Sequence, residues 1–193
     1  MHSIFLFNEY FDPFIWILAA VRQYKTRYFY YFLFNALCDP LGMIFERTIN
    51  HSNNIPVYLI LSYFIFMALF SFKQIKGHLI FWLLPLLFLI VYLTLYVQLH
   101  VWFILLMICH LFILFRLLYD LLKQLYEEKL FDIFISVIIF YELTNLTKIG
   151  SIVTGLNSHV FYYYLLTNVF VTFIGIFFIV SKYGASKLFL KFK

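Results

Sequence analysis

Three ionisable residues lie inside long apolar runs of this sequence, namely Asp39, His110 and Glu142. Placing an ionisable group within a bilayer costs several kcal/mol, so such groups are uncommon there. Where they occur, they carry protons or ions, bind a ligand, or hydrogen-bond neighbouring helices. These three residues are therefore the first candidates for chemistry.

Amide side chains at helical spacing accompany the two carboxyl groups. Asn35 and Asp39 are four residues apart, and Glu142 and Asn145 are three apart, so each pair shares one face of its helix. With a rise of about 1.5 Å per residue, both pairs come to one level near the middle of a membrane. Together with residues at the same level on two further helices, the predicted polar layer comprises Asn35, Asp39, His110, Glu142, Asn145 and Asn168.

Two interpretations of this polar layer stay open. The first is a polar cavity facing outward, with Asp39 and Glu142 at its floor, that holds a ligand, a proton or a cation. Glu9, Asp12 and Glu46 lie above the layer in this arrangement and make the cavity acidic. In the second interpretation the same side chains only hold the helices together, at about 1 kcal/mol per hydrogen bond.

Other chemistries lack the residues that they need. Haem ligation requires facing histidines, whereas His100 and His159 are typical of span ends that contact lipid headgroups. A zinc site needs clustered ligands, whereas His110 stands alone on its helix. A retinal protein needs a lysine in the last helix, and the last predicted span contains none. The sequence has no nucleophile elbow, Walker loop or dinucleotide fingerprint. We therefore expect no metal and no cofactor, and no residue set in the sequence argues for an enzyme.

The composition determines which elements must position these residues. The chain has 193 residues, of which 65% are hydrophobic and 12% charged, and its mean hydropathy is +0.94. An ordinary soluble domain is about half apolar and a quarter charged. The composition therefore excludes a soluble domain and a disordered chain, and it predicts one all-helical domain over residues 1–193 embedded in a lipid bilayer.

Seven apolar runs separated by charges predict a transmembrane helical bundle. A helix needs about 20 residues to cross the bilayer core, and six of the runs are long enough. The first run is short, and its helix is predicted to begin at Asp12 and Pro13, which are typical of a helix N-terminus. It either crosses at a tilt or lies in the interface, which leaves six spans. The predicted spans are Phe11–Val21, Tyr28–Phe45, Pro56–Phe72, His78–Val97, His100–Leu118, Leu130–Thr147 and Phe161–Ser181.

The lysines and arginines at the ends of these runs predict the orientation. Twelve of the 14 fall on one side of the bundle, and only Arg47 and Lys148 fall on the other. Because such cations are retained on the cytoplasmic or matrix side, the N-terminus is predicted outside and the C-terminus inside. The start of the chain predicts no cleavable signal peptide. Cys38 and Cys109 lie inside spans, where we expect packing rather than a disulfide framework.

Two segments on the inner side are candidates for contact with another protein. Leucines at helical spacing predict that the fifth helix continues through Asp120–Lys129. In Lys182–Lys193, lysines alternate with apolar residues, which is typical of an interfacial segment. The scattered cations argue against a nucleic-acid partner, and the lipid bilayer is the expected one.

The sequence thus predicts a multi-pass integral membrane protein of a bacterial inner membrane or, alternatively, of an organellar (mitochondrial) inner membrane. With no catalytic motif and no soluble module, the favoured interpretation is a non-enzymatic subunit or small receptor of a membrane complex. The alternative is a small carrier, or a protein that conducts protons or cations through Asp39 and Glu142.

Overall fold

Six helices make up most of the chain that the structure describes. The computed structural model describes residues 2–49, 54–70, 87, 90, 99–154, 160–185 and 188–191. The helices are α1 (His2–Arg22), α2 (Phe29–Ile49), α3 (Ile55–Ala68), α4 (Leu99–Glu128), α5 (Ile133–Val153) and α6 (Val160–Val180). Two short strands, β1 (Leu130–Asp132) and β2 (Phe189–Lys191), complete the described elements. The prediction of an all-helical fold is confirmed, apart from this ribbon.

The helices α4 and α5 are long and apolar enough to cross a membrane, by length and composition. Shorter apolar helical stretches occur at Ile55–Ala68 and Leu166–Val180. Large apolar side chains also point away from the bundle, and Phe14, Phe115 and Phe173 are each more than half exposed. Exposed apolar faces of this kind are typical of contact with lipid or another protein. The coarse prediction of membrane association therefore has support, while the number of spans stays a prediction.

The first helix begins earlier than the sequence indicates. α1 runs from His2, and Pro13 lies inside it. The prediction of a helix N-terminus at Asp12 is wrong, because the Asp12 carboxylate does not cap a helix. It accepts a hydrogen bond of 2.7 Å from the hydroxyl of Thr172 on α6. The resemblance of Asp-Pro to a cap therefore reflects a contact between helices.

The sixth predicted span also begins differently, because Leu130–Asp132 form a strand. The α5 helix starts after Asp132, whose carboxylate accepts hydrogen bonds from the backbone N–H groups of Phe134 (2.9 Å) and Ile135 (3.2 Å). This is a helix N-cap, and it fixes the start of α5. β1 pairs antiparallel with β2, so the tail predicted as an interfacial segment folds back onto the turn between α4 and α5.

The structure describes the fifth predicted span and only two residues of the fourth. α4 continues to Glu128, so the predicted extension of the fifth helix is helical. The predicted span His78–Val97 lies outside the described residues, except for Leu87 and Ile90.

The six described helices pack as a closed ring. Each helix contacts the next described helix along the chain, and α6 contacts α1. Asp12 pairs with Thr172, and Ile15 faces Gly175, both at a separation of 160 residues. Because the separation is constant, α1 and α6 run in the same direction.

The helices α3 and α4 also run in the same direction. Ser62 contacts His110, and further along both helices Phe66 packs near Phe112. Residue numbers therefore rise together on the two helices. The last residue of α3 and the first residue of α4 therefore lie at opposite ends of the bundle.

Aromatic side chains fill the half of the helix bundle in which α1 ends and α2 begins. We call this half the closed half. Phe32, Phe134 and Phe178 are fully buried there. The ring centroid of Phe178 lies 4.7 Å from that of Phe32 and 5.0 Å from that of Phe134. Rings at these distances and tilts pack favourably edge to face, so this half has a dense core.

Polar groups in the closed half are used to tie the helix ends together. Gln23 is fully buried, and its amide donates to the carbonyl oxygens of Phe178 (3.0 Å) and Ser181 (2.7 Å). Its amide oxygen accepts from the backbone N–H of Tyr183 (3.0 Å). Burial raises the pKa of the Tyr183 hydroxyl, which therefore stays protonated at neutral pH. These bonds satisfy carbonyl groups at the end of α6 that have no partner within the helix.

An ion-pair network closes the same end of the bundle. The carboxylate of Asp120, on α4, is buried and binds Arg27 and Arg116. Arg116 also lies over the ring of Phe70, 4.8 Å from its centroid. A buried carboxylate with two guanidinium partners is compensated, so Asp120 stabilises this end rather than offering a site.

Candidate functional site

A cavity of about 340 Å³ lies in the other half of the ring, which we call the cavity half. All six described helices contribute to its lining. Of the predicted polar layer, five residues line this central cavity: Asn35, Asp39, His110, Asn145 and Asn168. The sixth, Glu142, is fully buried and contacts His110. The structure therefore brings the whole predicted layer to one place.

Asp39 presents a half-buried carboxylate to the central cavity. One of its oxygens accepts a hydrogen bond of 2.7 Å from the hydroxyl of Tyr58 on α3. Asp12 lines the same cavity and interacts electrostatically with both Asp39 and Lys148. The Lys148 ammonium donates to the side-chain oxygen of Asn168 (3.1 Å). Two carboxyl groups and one ammonium group therefore line this space.

Glu142 occupies a different environment. One carboxylate oxygen accepts a hydrogen bond from the Tyr31 hydroxyl, and the other lies 2.7 Å from His110 Nδ1. On the far side of the same imidazole, Nε2 lies 3.2 Å from the hydroxyl of Ser62. Tyr31, Ser62, His110 and Glu142 come from four different helices. Their hydrogen bonds hold α2, α3, α4 and α5 together.

Asn35 is also engaged by neighbouring groups. Its amide nitrogen donates to the carbonyl oxygen of Tyr31 (2.9 Å), and its amide oxygen accepts from the Tyr141 hydroxyl (3.2 Å). An amide with both ends bonded within the protein joins helices, as the packing interpretation expects. The two carboxyl groups that appear equivalent in the sequence thus differ: Glu142 is enclosed, whereas Asp39 faces the cavity.

Several of these residues are not among those predicted from the sequence. Tyr58 and Ser62 are four apart on α3 and share a face, which is the spacing that predicts Asn35 and Asp39 for the polar layer. Tyr31 belongs to a tyrosine cluster that is typical of a membrane interface. The sequence relates Lys148 only to the orientation of the bundle, although this residue lines the cavity.

Among the residues that the structure describes, no group of three His, Cys, Asp or Glu side chains is arranged to hold a metal ion. Comparison of the chain with protein-family models, curated proteins and solved structures gave no match. The central cavity is the feature of the described structure from which a function can be inferred.

Proposed function

We propose that this chain is a multi-pass integral membrane protein whose central cavity binds a small hydrophilic ligand with a positive charge, as a small receptor or a carrier does. One observation carries the proposal: a polar cavity lies inside a ring of helices whose outer faces are apolar. Among the described residues of its lining, the carboxyl groups of Asp12 and Asp39 outnumber the ammonium group of Lys148, so the space favours a cation or an amine.

We also propose that the chain crosses the membrane seven times. Because α3 and α4 run in the same direction, the chain needs one return between them, and the apolar stretch 78–97 has the length for it. The cations Arg22, Lys25, Lys129 and Lys182 all lie at the closed half. The positive-inside rule then puts the closed half on the cytoplasmic or matrix side, with the central cavity nearer the outside. A bacterial inner membrane, or alternatively a mitochondrial one, fits this orientation.

Ligand binding is tested on the purified full chain in lipid nanodiscs. Trp16, one of three tryptophans in the chain, lines the cavity, so a change in tryptophan fluorescence that is lost in Trp16→Phe reports on occupancy. The probes are sodium, potassium, ethanolamine, choline and putrescine, each titrated at constant ionic strength. We expect at least one probe to change the fluorescence saturably. Asp39→Asn should weaken its binding by about tenfold or more, which corresponds to about 1.4 kcal/mol.

Glu127→Gln is the matched control, because Glu127 is an exposed carboxylate at the far end of α4. This variant should bind as the wild type does. If none of the five probes saturates, or if Asp39→Asn binds as tightly as the wild type, the cation-binding proposal is wrong.

Reconstitution in liposomes separates a carrier from a receptor. A carrier gives uptake of the bound probe that Asp39→Asn abolishes. Binding without uptake identifies a receptor, and it leaves the prediction of a subunit of a membrane complex to be tested by co-purification in mild detergent.

A further inference from the structure

Ser62, His110 and Glu142 form a linear hydrogen-bonded array beside the central cavity. Ser62 Oγ lies 3.2 Å from His110 Nε2, and His110 Nδ1 lies 2.7 Å from Glu142 Oε2. All three side chains are buried, with residue exposures of 2%, 8% and 0%. Three helices supply them, so the array exists only in the assembled bundle.

The geometry of the array fits one tautomer of His110. With its hydrogen on Nδ1, the imidazole donates to Glu142 Oε2 and accepts the Ser62 hydroxyl hydrogen at Nε2. The Tyr31 hydroxyl donates to the other oxygen of Glu142. A histidine acting as general base for a serine needs this tautomer.

Two of the three residues of the array face the cavity, and the third lies behind them. Ser62 and His110 both line the central cavity, whereas Glu142 lies behind His110 and does not. A molecule in the cavity would therefore meet the hydroxyl and the imidazole first. Helix packing alone does not require this order, since buried hydrogen bonds between helices serve equally well away from a cavity.

We propose that Ser62 is the nucleophile of an acyl-transfer reaction, with His110 as general base, on a small carboxylic ester held in the central cavity. The Ser62 oxygen forms a bond to the ester carbonyl carbon while its proton passes to His110 Nε2. The ester carbon–oxygen bond then breaks, and His110 returns the proton to the leaving alcohol. Water attacks the acyl-serine with the same proton relay, which releases the carboxylic acid and restores Ser62.

Glu142 is a positioning residue in this reaction. It holds the imidazole ring through Nδ1 and stabilises the imidazolium that forms when Nε2 is protonated. Asn145, three residues further along α5, also lines the cavity, and its side chain hydrogen-bonds to Tyr141. A cavity of about 340 Å³ admits a small molecule, which is why the ester is small.

A fluorophosphonate probe tests the nucleophile directly on the purified full chain in nanodiscs. The serine oxygen bonds to phosphorus, the phosphorus–fluorine bond breaks, fluoride leaves, and the proton passes to His110. We expect peptide mass spectrometry to find the label on Ser62, and Ser62→Ala to lose it. His110→Gln should slow labelling about 100-fold or more, since general-base catalysis contributes about 10²-fold to 10⁴-fold.

Ser136→Ala is the matched control, because the Ser136 hydroxyl only donates to the Asp132 carbonyl oxygen at the start of α5. It should be labelled at the wild-type rate. Release of p-nitrophenol from p-nitrophenyl acetate, measured on the same samples, should follow the labelling rates. Melting temperatures recorded in parallel identify any variant that has failed to fold.

A conservative pair of variants tests the role of Glu142. Glu142→Gln should slow labelling about 100-fold, and Glu142→Asp should restore part of the rate, because it keeps the carboxylate that orients His110. A residue needed only for stability would not give this rescue. The proposal is overturned if folded wild-type protein is not labelled on Ser62, or if folded His110→Gln is labelled as fast as the wild type.

The nucleophile and the cation site fail independently. Cation binding is measured by titration of the fluorescence and the nucleophile by labelling of Ser62, so the two proposals have separate readouts. Labelled protein that binds none of the cations would refute the proposed function and leave the acyl-transfer proposal standing.

Discussion

The closed half of the ring is filled by aromatic side chains, whereas the cavity half contains a space of about 340 Å³ lined by both polar and apolar groups. In the closed half, the polar side chains Gln23 and Asp120 are buried and tied to several partners each. In the cavity half, Asp39 and Lys148 are only half-buried. The first arrangement uses polar groups to hold helices together, and the second leaves polar groups facing the cavity.

This difference indicates that stability and function are separable in this chain. Substitutions in the closed half should lower the free energy of unfolding and leave ligand binding by the folded protein unchanged. Substitutions of cavity-facing groups such as Asp39 should weaken ligand binding and leave the free energy of unfolding nearly unchanged. Glu142 is the exception, because it belongs to the cavity half but is enclosed like a residue of the closed half.

The largest expected effect on stability comes from the aromatic core of the closed half. Phe134→Ala removes a fully buried ring that packs against Phe178 and Phe32, and it should cost about 3–5 kcal/mol of unfolding free energy. Denaturant-induced unfolding in mixed micelles measures the loss. Phe115→Ala, on the exposed face of α4, is the matched control and should cost far less. Equal losses in the two variants would contradict the assignment of the core.

A smaller effect is expected at the seam between α1 and α6, which runs through both halves. A Cβ atom at Gly175 would lie 2.3 Å from Ile15 Cγ2, so Gly175→Ala forces the helices apart and should cost about 1–3 kcal/mol. Gly150 on α5 has no atom within 4 Å of such a Cβ. Gly150→Ala should therefore stabilise the chain slightly, by about 0.5–1 kcal/mol, because alanine favours a helix. Shifts of the melting temperature, downward for Gly175→Ala and upward for Gly150→Ala, check this pair.

The smallest expected effect concerns the turn between α4 and β1. Lys129 has a φ of 54°, in the left-handed region that favours glycine. Lys129→Gly should raise the unfolding free energy by about 0.5 kcal/mol, less than the full relief of strain, because glycine also gains entropy in the unfolded chain. Glu128→Gly, in the last helical position of α4, is the control and should destabilise. A loss of stability in Lys129→Gly would show that the lysine side chain outweighs the strain.

Much of the helical framework and the membership of the polar layer could be predicted, because both depend on local spacing. Apolar runs indicate helices, and residues three or four apart share a face whatever the rest of the chain does. Asn35 and Asp39, for example, are predicted to share a helix face from their spacing alone, and both line the cavity.

The contacts between distant residues could not be predicted. Ser62 lies 48 residues from His110, and His110 lies 32 residues from Glu142, so no motif of fixed spacing records their meeting. A serine within an apolar helix attracts little notice, because its hydroxyl is small and can bond to the backbone. The pairing of β1 with β2 likewise has no local signal, since strand pairing depends on distant partners.

The constant separation of 160 residues between α1 and α6 has a consequence for biogenesis. A chain is synthesised from its N-terminus, so the Asp12 carboxyl enters its surroundings long before the Thr172 hydroxyl exists. The contact between α1 and α6 can therefore form only after the chain has been synthesised as far as α6. Variants that weaken this seam, such as Gly175→Ala, should leave α1 without this partner for longer, which faster degradation in cells would reveal.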